Sequence, residues 1–330
     1  MSKPKLLSTH LLFEGPRKKL EEYFEVEYWK GDERPSREEF LKRVAGKDAL
    51  ICLLTEKIDD EMLEIAGPNL RIVANVAVGY DNIDVLACTK RNVAVTNTPG
   101  VLDETTADFT WTLLMAVARR LIEADHMARS GAWKKWNLDQ LCGTDIWGKT
   151  LGIIGFGRIG RAVTRRALGF RMRVIYSSTS RAPLEIEKEL NAEYVSRDAV
   201  FEQADFVSLH VPLNPATRGL IGPQELAKMK ATAFLINTTR GPVVQEAALI
   251  EALERGLIAG AALDVFEREP IIPDGLRRDN VVLAPHLGSA SIETRTKMAM
   301  IAVENAIALF AGQRPPTILN PEALLKTSNH

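Results

Sequence analysis

The stretch that decides the fold is TLGIIGFGRIG, residues 150–160, in which an apolar run leads directly into three spaced glycines. We predict a strand over residues 150–154, a tight turn, and a helix over residues 159–167. A second apolar run at residues 173–177 predicts the next strand. A strand, a glycine turn, a helix and another strand in this order are typical of a parallel α/β sheet.

Each glycine of this turn has a separate physical task. Gly155 permits the tight turn, Gly157 lets a pyrophosphate approach the backbone, and Gly160 lets the helix pack closely on the strand. Free N–H groups at the start of the helix, together with the helix dipole, favour the phosphate charge. We therefore predict a dinucleotide site whose binding residues in this turn are Gly155, Gly157, Arg158, Ile159 and Gly160. The alternative is a purely structural glycine turn.

The residues after the second strand predict which dinucleotide binds. NAD-binding sheets usually carry an Asp or Glu here, about 20 residues beyond the first glycine, for the ribose 2′-hydroxyl. This chain reads YSSTSR over residues 176–181, without an acid. Hydroxyl groups and a guanidinium favour a 2′-phosphate, because Arg can donate two hydrogen bonds to it. We predict that NADP(H) is preferred and NAD(H) possible, with contacts from Ser178, Thr179, Ser180 and Arg181. The alternative is a polar loop without a ligand.

Short apolar runs alternate with amphipathic stretches through the rest of the chain, which predicts an α/β fold. Further strands are predicted at residues 49–54, 72–78, 206–210, 233–237, 260–264 and 281–284, and helices at residues 61–66 and 291–311. The periodicity of residues 103–129 predicts one long helix of roughly 40 Å. We expect a helix of that length to link two domains or to pack against a second subunit.

Composition excludes several classes of protein. The 330 residues carry 42 basic and 43 acidic side chains, a formal net charge of −1, whereas nucleic-acid binders usually show a basic excess. No apolar run approaches the about 18 residues that a membrane span needs, and the N-terminus is interpreted as the start of a strand rather than a signal peptide. Three widely spaced cysteines predict neither a disulfide framework nor a metal site, and they indicate the reducing cytoplasm.

Three loops that follow predicted strands supply the candidate catalytic groups. Arg240 lies in one such loop, where a guanidinium suits a carboxylate. Glu269 precedes a proline in the second loop, and His286 lies in a turn bounded by proline and glycine in the third. Because open parallel sheets bind ligands at the carboxyl ends of their strands, we expect these side chains to meet. Together they would form an anion clamp, an orienting carboxylate and a proton donor.

Five motifs carry a resemblance to a known family. They are GYDNID at residues 79–84, GFGRIG at 155–160, NTTRG at 237–241, DVFEREP at 264–270 and PHLGSA at 285–290. In these residues and in their order, the chain resembles the D-2-hydroxyacid dehydrogenase family, and within it the glyoxylate/hydroxypyruvate reductase branch. The resemblance extends over most of the chain, from about residue 44 to about residue 321.

The resemblance implies two Rossmann-like, doubly wound α/β domains with a cleft between them. It places the substrate domain at residues 1–98 and 288–330, and the dinucleotide-binding domain at residues 99–287. It also implies a homodimer joined through the cofactor domains and the helix predicted at residues 103–129. In the reductase branch an aromatic residue near residues 141–143 can reach a neighbouring subunit's site. Trp133 and Trp136 are close in sequence, with packing at the dimer interface as the alternative.

The resemblance further implies roles for individual residues. Arg240 would bind the carboxylate and carbonyl of the substrate, His286 would act as general acid/base, and Glu269 would be its partner. Backbone N–H groups of Val78 and Gly79 would hold the substrate carboxylate, so the implied substrate-binding residues are Val78, Gly79, Arg240 and His286. Further cofactor contacts are implied for Thr238, Thr239, Arg240, Asp264, His286 and Gly288. The implied reaction is the NAD(P)H-dependent reduction of a small 2-oxo acid, such as glyoxylate or hydroxypyruvate, to a D-2-hydroxy acid.

Other functions remain open at this point. Within the enzyme class they are 2-ketogluconate reductase and the phosphoglycerate, formate and phosphite dehydrogenases of the same superfamily. The short stretch after about residue 323 argues against the larger phosphoglycerate enzymes. An NAD(H)-sensing, corepressor-like binding protein is the alternative from another class, since such proteins share the fold and can retain the same Arg, Glu and His. The lack of a long disordered C-terminal tail argues against it.

Overall fold

The computed structural model describes residues 2–31, 33 and 35–328. The chain divides into two compact units, the first comprising Met1–Leu102 with Ser291–His330 and the second comprising Asp103–Ala290. Each unit contains one sheet whose strands all run parallel, with helices along the chain between them. The predicted α/β class is therefore confirmed.

The first unit is built on a five-stranded sheet. With elements numbered along the whole chain, its strands are β1 Lys5–Ser8, β2 Glu25–Tyr28, β3 Ala49–Cys52, β4 Ile72–Asn75 and β5 Ala94–Thr96. Its helices are α1 Glu14–Tyr23, α2 Arg37–Val44, α3 Asp60–Ala66, α4 Val85–Lys90 and α12 Ile292–Phe310, followed by a 3₁₀ segment, Pro321–Ser328. The strand order is β2-β1-β3-β4-β5. Helices cover both faces of the sheet, so Ile51 and Cys52, adjacent in β3, are buried in opposite cores, and β3 is apolar throughout.

The second unit is built on a seven-stranded sheet. Its strands are β6 Thr150–Ile154, β7 Arg173–Ser177, β8 Ala192–Tyr194, β9 Phe206–Leu209, β10 Phe234–Asn237, β11 Gly260–Leu263 and β12 Val281–Leu283. Its helices are α5 Asp103–Ala118, α6 Leu121–Arg129, α7 Arg158–Ala167, α8 Leu184–Leu190, α9 Arg197–Gln203, α10 Pro223–Lys228 and α11 Glu246–Glu254, with 3₁₀ turns at Leu168–Phe170, Gly241–Val243 and Asp274–Leu276. The strand order β12-β11-β10-β9-β6-β7-β8 reverses between β6 and β9, the point where such sheets bind ligands.

The register of three neighbouring strands aligns the loops that follow them. Asn237, the last residue of β10, is opposite Leu263, the last residue of β11. Leu263 is in turn opposite Leu283, the last residue of β12. The chain segments that carry Arg240, Glu269 and His286 therefore leave the sheet at the same level and at the same edge.

The long helix predicted at residues 103–129 is wrong, because the structure has two helices there. α5 ends at Ala118, whose carbonyl oxygen accepts a hydrogen bond of 2.9 Å from the backbone N–H of Thr144. Arg120 adopts a left-handed conformation with φ 52°, and α6 begins after it. The hydrogen bond from Thr144 occupies the Ala118 carbonyl, and the first helix ends there. Among the described residues, no helix has both the length and the apolar character that crossing a bilayer requires.

Two predicted strands of the first unit are shorter than expected. The strands predicted at residues 49–54 and 72–78 end at Cys52 and Asn75. After β4 the side-chain amide of Asn75 donates a hydrogen bond of 3.0 Å to the carbonyl of Gly79, which closes residues 76–79 into a loop. A side chain that bonds the nearby backbone in this way competes with continuation of a strand.

Candidate active site

The glycine turn after β6 has the packing that a dinucleotide site needs. Gly155 has φ 93°, and a Cβ there would lie 2.4 Å from the carbonyl oxygen of His210. A Cβ at Gly160 would lie 2.3 Å from the carbonyl oxygen of Gly155. Both positions therefore require glycine for packing within the chain. A Cβ at Gly157 would meet no atom within 4 Å, so the protein's own packing does not require glycine there.

The start of α7 supplies the donors of this site. Gly157 is the N-cap, has no side chain to bond the first N–H groups, and is followed by a first turn without an acidic residue. The backbone N–H groups at the start of the helix, beginning with Arg158 and Ile159, are thus uncapped by a side chain, and the helix dipole adds positive potential. A side chain at position 157 would fill the space in front of them. These residues fit the pyrophosphate of a dinucleotide.

The loop after β7 differs in one respect from the expectation. Ser178 is half-buried, while Thr179, Ser180 and Arg181 are exposed. Arg181 donates two hydrogen bonds to Glu187 of α8, from Nε at 2.9 Å and from Nη2 at 2.7 Å.

Glu187 also accepts a hydrogen bond of 2.6 Å from the hydroxyl of Tyr176. The bonds from Arg181 and Tyr176 lower the pKa of Glu187 to about 2. An acidic side chain from α8 therefore lies against this loop and compensates the charge of the guanidinium. The position after the strand, where such an acid usually stands, gives no sign of this pair.

The Arg240 loop is organised by Asn237, a residue for which the sequence predicts no role of its own. Asn237 is almost completely buried, and its Oδ1 accepts hydrogen bonds from the backbone N–H and the hydroxyl of Thr239 at 3.0 and 2.7 Å. Its Nδ2 donates to the carbonyl oxygen of Arg240 at 3.1 Å. Asn side chains commonly bond the backbone two residues ahead in turns, so an Asn at a strand end was the available signal.

The loops after β10 and β11 touch directly at Gly241. A Cβ at this position would lie 1.8 Å from the carbonyl carbon of Phe266, so only glycine allows the two backbones to approach this closely. The backbone N–H of Phe266 donates to Glu269 Oε1 at 3.1 Å. This bond fixes the Glu269 carboxylate against its own loop and leaves Oε2 for another partner.

Glu269 and His286 form the central pair of the site. His286 Nδ1 lies 2.9 Å from Glu269 Oε2, and the two side chains are 25% and 30% exposed. Burial raises the pKa of Glu269, but the hydrogen bond and charge of His286, the bond from Phe266 and the charge of Arg240 outweigh it and leave that pKa below its usual value. Glu269 is therefore a carboxylate at neutral pH, and the charge of Arg240 acts on it.

Asp264, directly after β11, is the second carboxyl group near His286. Its side chain accepts the backbone N–H groups of Leu287 at 2.6 Å and Gly288 at 2.8 Å. Burial raises the pKa of Asp264 to about 6, although these two bonds and the charge of His286 act in the opposite direction. The resemblance implied only a place near the cofactor for Asp264, whereas the structure shows that it holds the His286 turn.

The remaining predicted residues occupy three places. Thr238 and Thr239 lie in the loop before Arg240, where the hydroxyl oxygens of Thr238 and Thr110 are 2.9 Å apart. Gly288 is bound to Asp264 and buried. Val78 and Gly79 lie in the loop after β4 of the first unit and are half-buried.

Comparison with known proteins places the chain in a family. The profile described as D-isomer specific 2-hydroxyacid dehydrogenase, NAD binding domain, matches residues 111–288. A glyoxylate reductase from Korarchaeum cryptofilum is 53% identical over 98% of this chain and 97% of the relative, and one from Thermococcus litoralis is 50% identical over 98% of each chain.

A solved structure gives the same result. An NADPH-dependent glyoxylate/hydroxypyruvate reductase from Sinorhizobium meliloti, in complex with NADP and malonate, has a TM-score of 0.86 and 33% identity over 98% of each chain. With a profile that matches more than half of the chain and relatives that match almost all of it, the chain belongs to the D-isomer specific 2-hydroxyacid dehydrogenase family of oxidoreductases.

Proposed function

We propose that this protein reduces glyoxylate, and with it small 2-oxo acids such as hydroxypyruvate, to D-2-hydroxy acids at the expense of a nicotinamide dinucleotide. The observation that carries the proposal is the contact of 2.9 Å between Glu269 and His286, at the sheet edge from which the Arg240 loop also departs. The relatives from Korarchaeum cryptofilum and Thermococcus litoralis, both named glyoxylate reductase, support the choice of substrate.

The chain's own residues bind the substrate anion and supply the proton of the reaction. A bound nicotinamide dinucleotide supplies the hydride that adds to the carbonyl carbon. Since His286 Nδ1 is engaged with Glu269, the ring atom that donates the proton to the carbonyl oxygen is Nε2. Glu269 stabilises the imidazolium, and Arg240 binds the anionic substrate. Backbone N–H groups of Val78 and Gly79 complete the binding of the carboxylate.

We propose NADP(H) as the preferred cofactor, with NAD(H) as a weaker partner. Three hydroxyl side chains, those of Ser178, Thr179 and Ser180, follow β7, and the strand end itself carries no acid. Glu187 compensates the charge of Arg181, but the bonds between them use only Nε and Nη2. Among the residues that the structure describes, Nη1 makes no hydrogen bond, so its two N–H groups can bind a phosphate. The relative from Sinorhizobium meliloti was solved with NADP.

We also propose that the protein is a homodimer. The segment from α6 to residue 147 exposes large apolar side chains. They are Leu121, Ile122, Trp133, Trp136, Leu138 and Trp147, each more than half exposed. Apolar side chains concentrated in this way on a surface mark a site of association.

We also propose a cytoplasmic location, because the three free thiols favour a reducing compartment.

The test is consumption of NADPH and of NADH, followed by absorbance, against a panel of glyoxylate, hydroxypyruvate, 2-ketogluconate and bulkier 2-oxo acids. Rapid oxidation of NADPH with glyoxylate or hydroxypyruvate is the expected result. Tight binding of the nucleotide without turnover of any oxo acid would refute the enzymatic proposal and favour a nucleotide sensor. A higher kcat/KM with 2-ketogluconate than with glyoxylate would refute the proposed substrate.

A further inference from the structure

Three consecutive carbonyl groups of the loop after β4 are each held by a hydrogen-bond donor. The carbonyl of Ala77 accepts the backbone N–H of Thr98 at 2.9 Å. The carbonyl of Val78 accepts Asn97 Nδ2 at 2.9 Å. The carbonyl of Gly79 accepts Asn75 Nδ2 at 3.0 Å. All of these residues belong to the first unit.

These bonds determine the direction of the N–H groups in the same peptide units. A trans peptide group is planar, so its C=O and its N–H point in opposite directions. The bond to Ala77 O therefore orients the N–H of Val78, and the bond to Val78 O orients the N–H of Gly79. Neither N–H donates to an acceptor in residues 2–31, 33 and 35–328, and both residues are only half-buried. Two oriented backbone donors are thus available to a ligand.

The two asparagines are themselves held in place. Asn75 is fully buried, and its Oδ1 accepts a weak hydrogen bond from Cys52 Sγ at 3.6 Å. Asn97 is 7% exposed, and its carbonyl accepts the hydroxyl of Thr317 at 2.6 Å. Thr317 is bonded to Asn305 of α12 through both its N–H and its hydroxyl. The donors therefore belong to the rigid core of the unit.

We propose that Asn75 and Asn97 are positioning residues for the substrate carboxylate. Asn97 orients the N–H of Gly79 directly through Val78 O, whereas Asn75 holds Gly79 O and so fixes the far end of the same loop. They do not touch the substrate. They hold the loop so that the N–H groups of Val78 and Gly79 stay directed at a carboxylate, instead of turning towards carbonyl acceptors within the protein. The inference rests on the proposed function, because it assigns these two N–H groups to the 2-oxo acid.

The first test uses Asn97→Ala and Asn75→Ala with Asn320→Ala as the matched control. Asn320 is also fully buried and also bonds backbone groups of the first unit, at Val93 and Val95, but not the loop after β4. In the two loop variants we expect the KM for glyoxylate to rise about tenfold, the effect of one weakened hydrogen bond, while kcat and the KM for NADPH change little. Asn320→Ala should lower the Tm without changing either KM. An unchanged KM for glyoxylate in both loop variants, or an equal rise in the control, would overturn the proposal.

A second measurement does not depend on turnover. In the wild-type protein with NADP⁺, oxalate should slow amide hydrogen exchange at Val78 and Gly79, and Asn97→Ala should need about ten times more oxalate for the same effect. If the wild-type protein reduces no 2-oxo acid, the proposed function fails, and the exchange measurement alone decides this inference. If oxalate leaves exchange in residues 76–82 unchanged, the inference is overturned even when the enzyme is active.

Discussion

Asp264 holds the backbone of His286 in place. Its main-chain oxygen accepts the N–H of His286 at 2.8 Å, and its carboxylate accepts the N–H groups of the next two residues, Leu287 and Gly288. His286 has φ 57°, a left-handed conformation that costs a non-glycine residue on the order of 1–3 kcal/mol. The three bonds to one residue stabilise this conformation and thereby aim the imidazole at Glu269.

The raised pKa of Asp264 predicts a pH-dependent contribution to stability. Because its folded pKa of about 6 lies above the usual value, the native state binds a proton that the unfolded chain releases. The stabilisation by this proton is complete below about pH 4 and is lost as the pH rises through about 6. The amide in Asp264→Asn does not titrate. We therefore expect the stability of the wild-type protein, relative to the variant, to fall between about pH 4 and pH 6 and to level off above.

Urea unfolding of both proteins at a series of pH values measures this difference in the free energy of unfolding. To first order, the other titrating groups contribute equally in the two proteins, so their contributions cancel in the difference. Parallel stability curves from pH 4 to pH 7 would show that Asp264 keeps an ordinary pKa.

The variant Asp264→Asn should also have a lower kcat than the wild-type protein, because one amide oxygen cannot replace two carboxylate oxygens as acceptors for Leu287 and Gly288.

Arg181 is expected to distinguish the two nucleotides. In Arg181→Ala the KM for NADPH should rise about tenfold, the loss of a hydrogen bond to a charged group, while the KM for NADH changes less than about twofold. Steady-state kinetics with each nucleotide at saturating glyoxylate measures both values.

The ion pair with Glu187 requires a control, since removal of Arg181 leaves a carboxylate beside the nucleotide site. The double variant Arg181→Ala/Glu187→Gln removes that charge and should retain most of the NADPH-specific loss. Glu187→Gln alone releases the guanidinium and should not raise the KM for NADPH. Equal losses for NADPH and NADH in the double variant would contradict a contact to the 2′-phosphate.

The exposed apolar segment from α6 to residue 147 is expected to form the dimer interface. Trp136, 74% exposed, is the test position, and Leu86 of α4, 75% exposed, is the matched control in the other unit. Because tryptophans often dominate interface energies, Trp136→Asp should raise the dissociation constant of the dimer about tenfold or more. Leu86→Asp should leave it unchanged. Sedimentation velocity over a concentration range measures both, and a wild-type monomer at all concentrations would contradict the proposal.

Local patterns predicted every strand of the second unit's sheet except β8. The strands β6 and β7 have the predicted bounds, because each apolar run is buried on both faces and ends at a glycine turn or a polar loop. The order of strand-end loops also brought Arg240, Glu269 and His286 forward as candidates. These signals depend only on residues close together in sequence.

The features that the sequence did not predict depend on how separate elements pack against each other. Periodicity continues across residues 119–120, so nothing local shows that Thr144 ends α5 at Ala118. Glu187 is in the next helix, and its bond to Arg181 depends on how α8 packs. A single Asn, such as Asn97, gives no pattern at all, although its position in the fold decides which carbonyl it holds.

Replacement of His286 tests the central claim most directly. His286→Asn suits the site better than an alanine variant, because Asn tolerates the left-handed conformation of this turn. With glyoxylate and NADPH we expect kcat to fall about 10²- to 10⁴-fold, the usual contribution of a general acid, while the Kd for NADPH stays within about twofold. His126→Asn, on the exposed face of α6, is the control and should have wild-type kinetics. A His286→Asn protein that keeps more than about a tenth of the wild-type kcat would contradict the role of His286 as the proton donor.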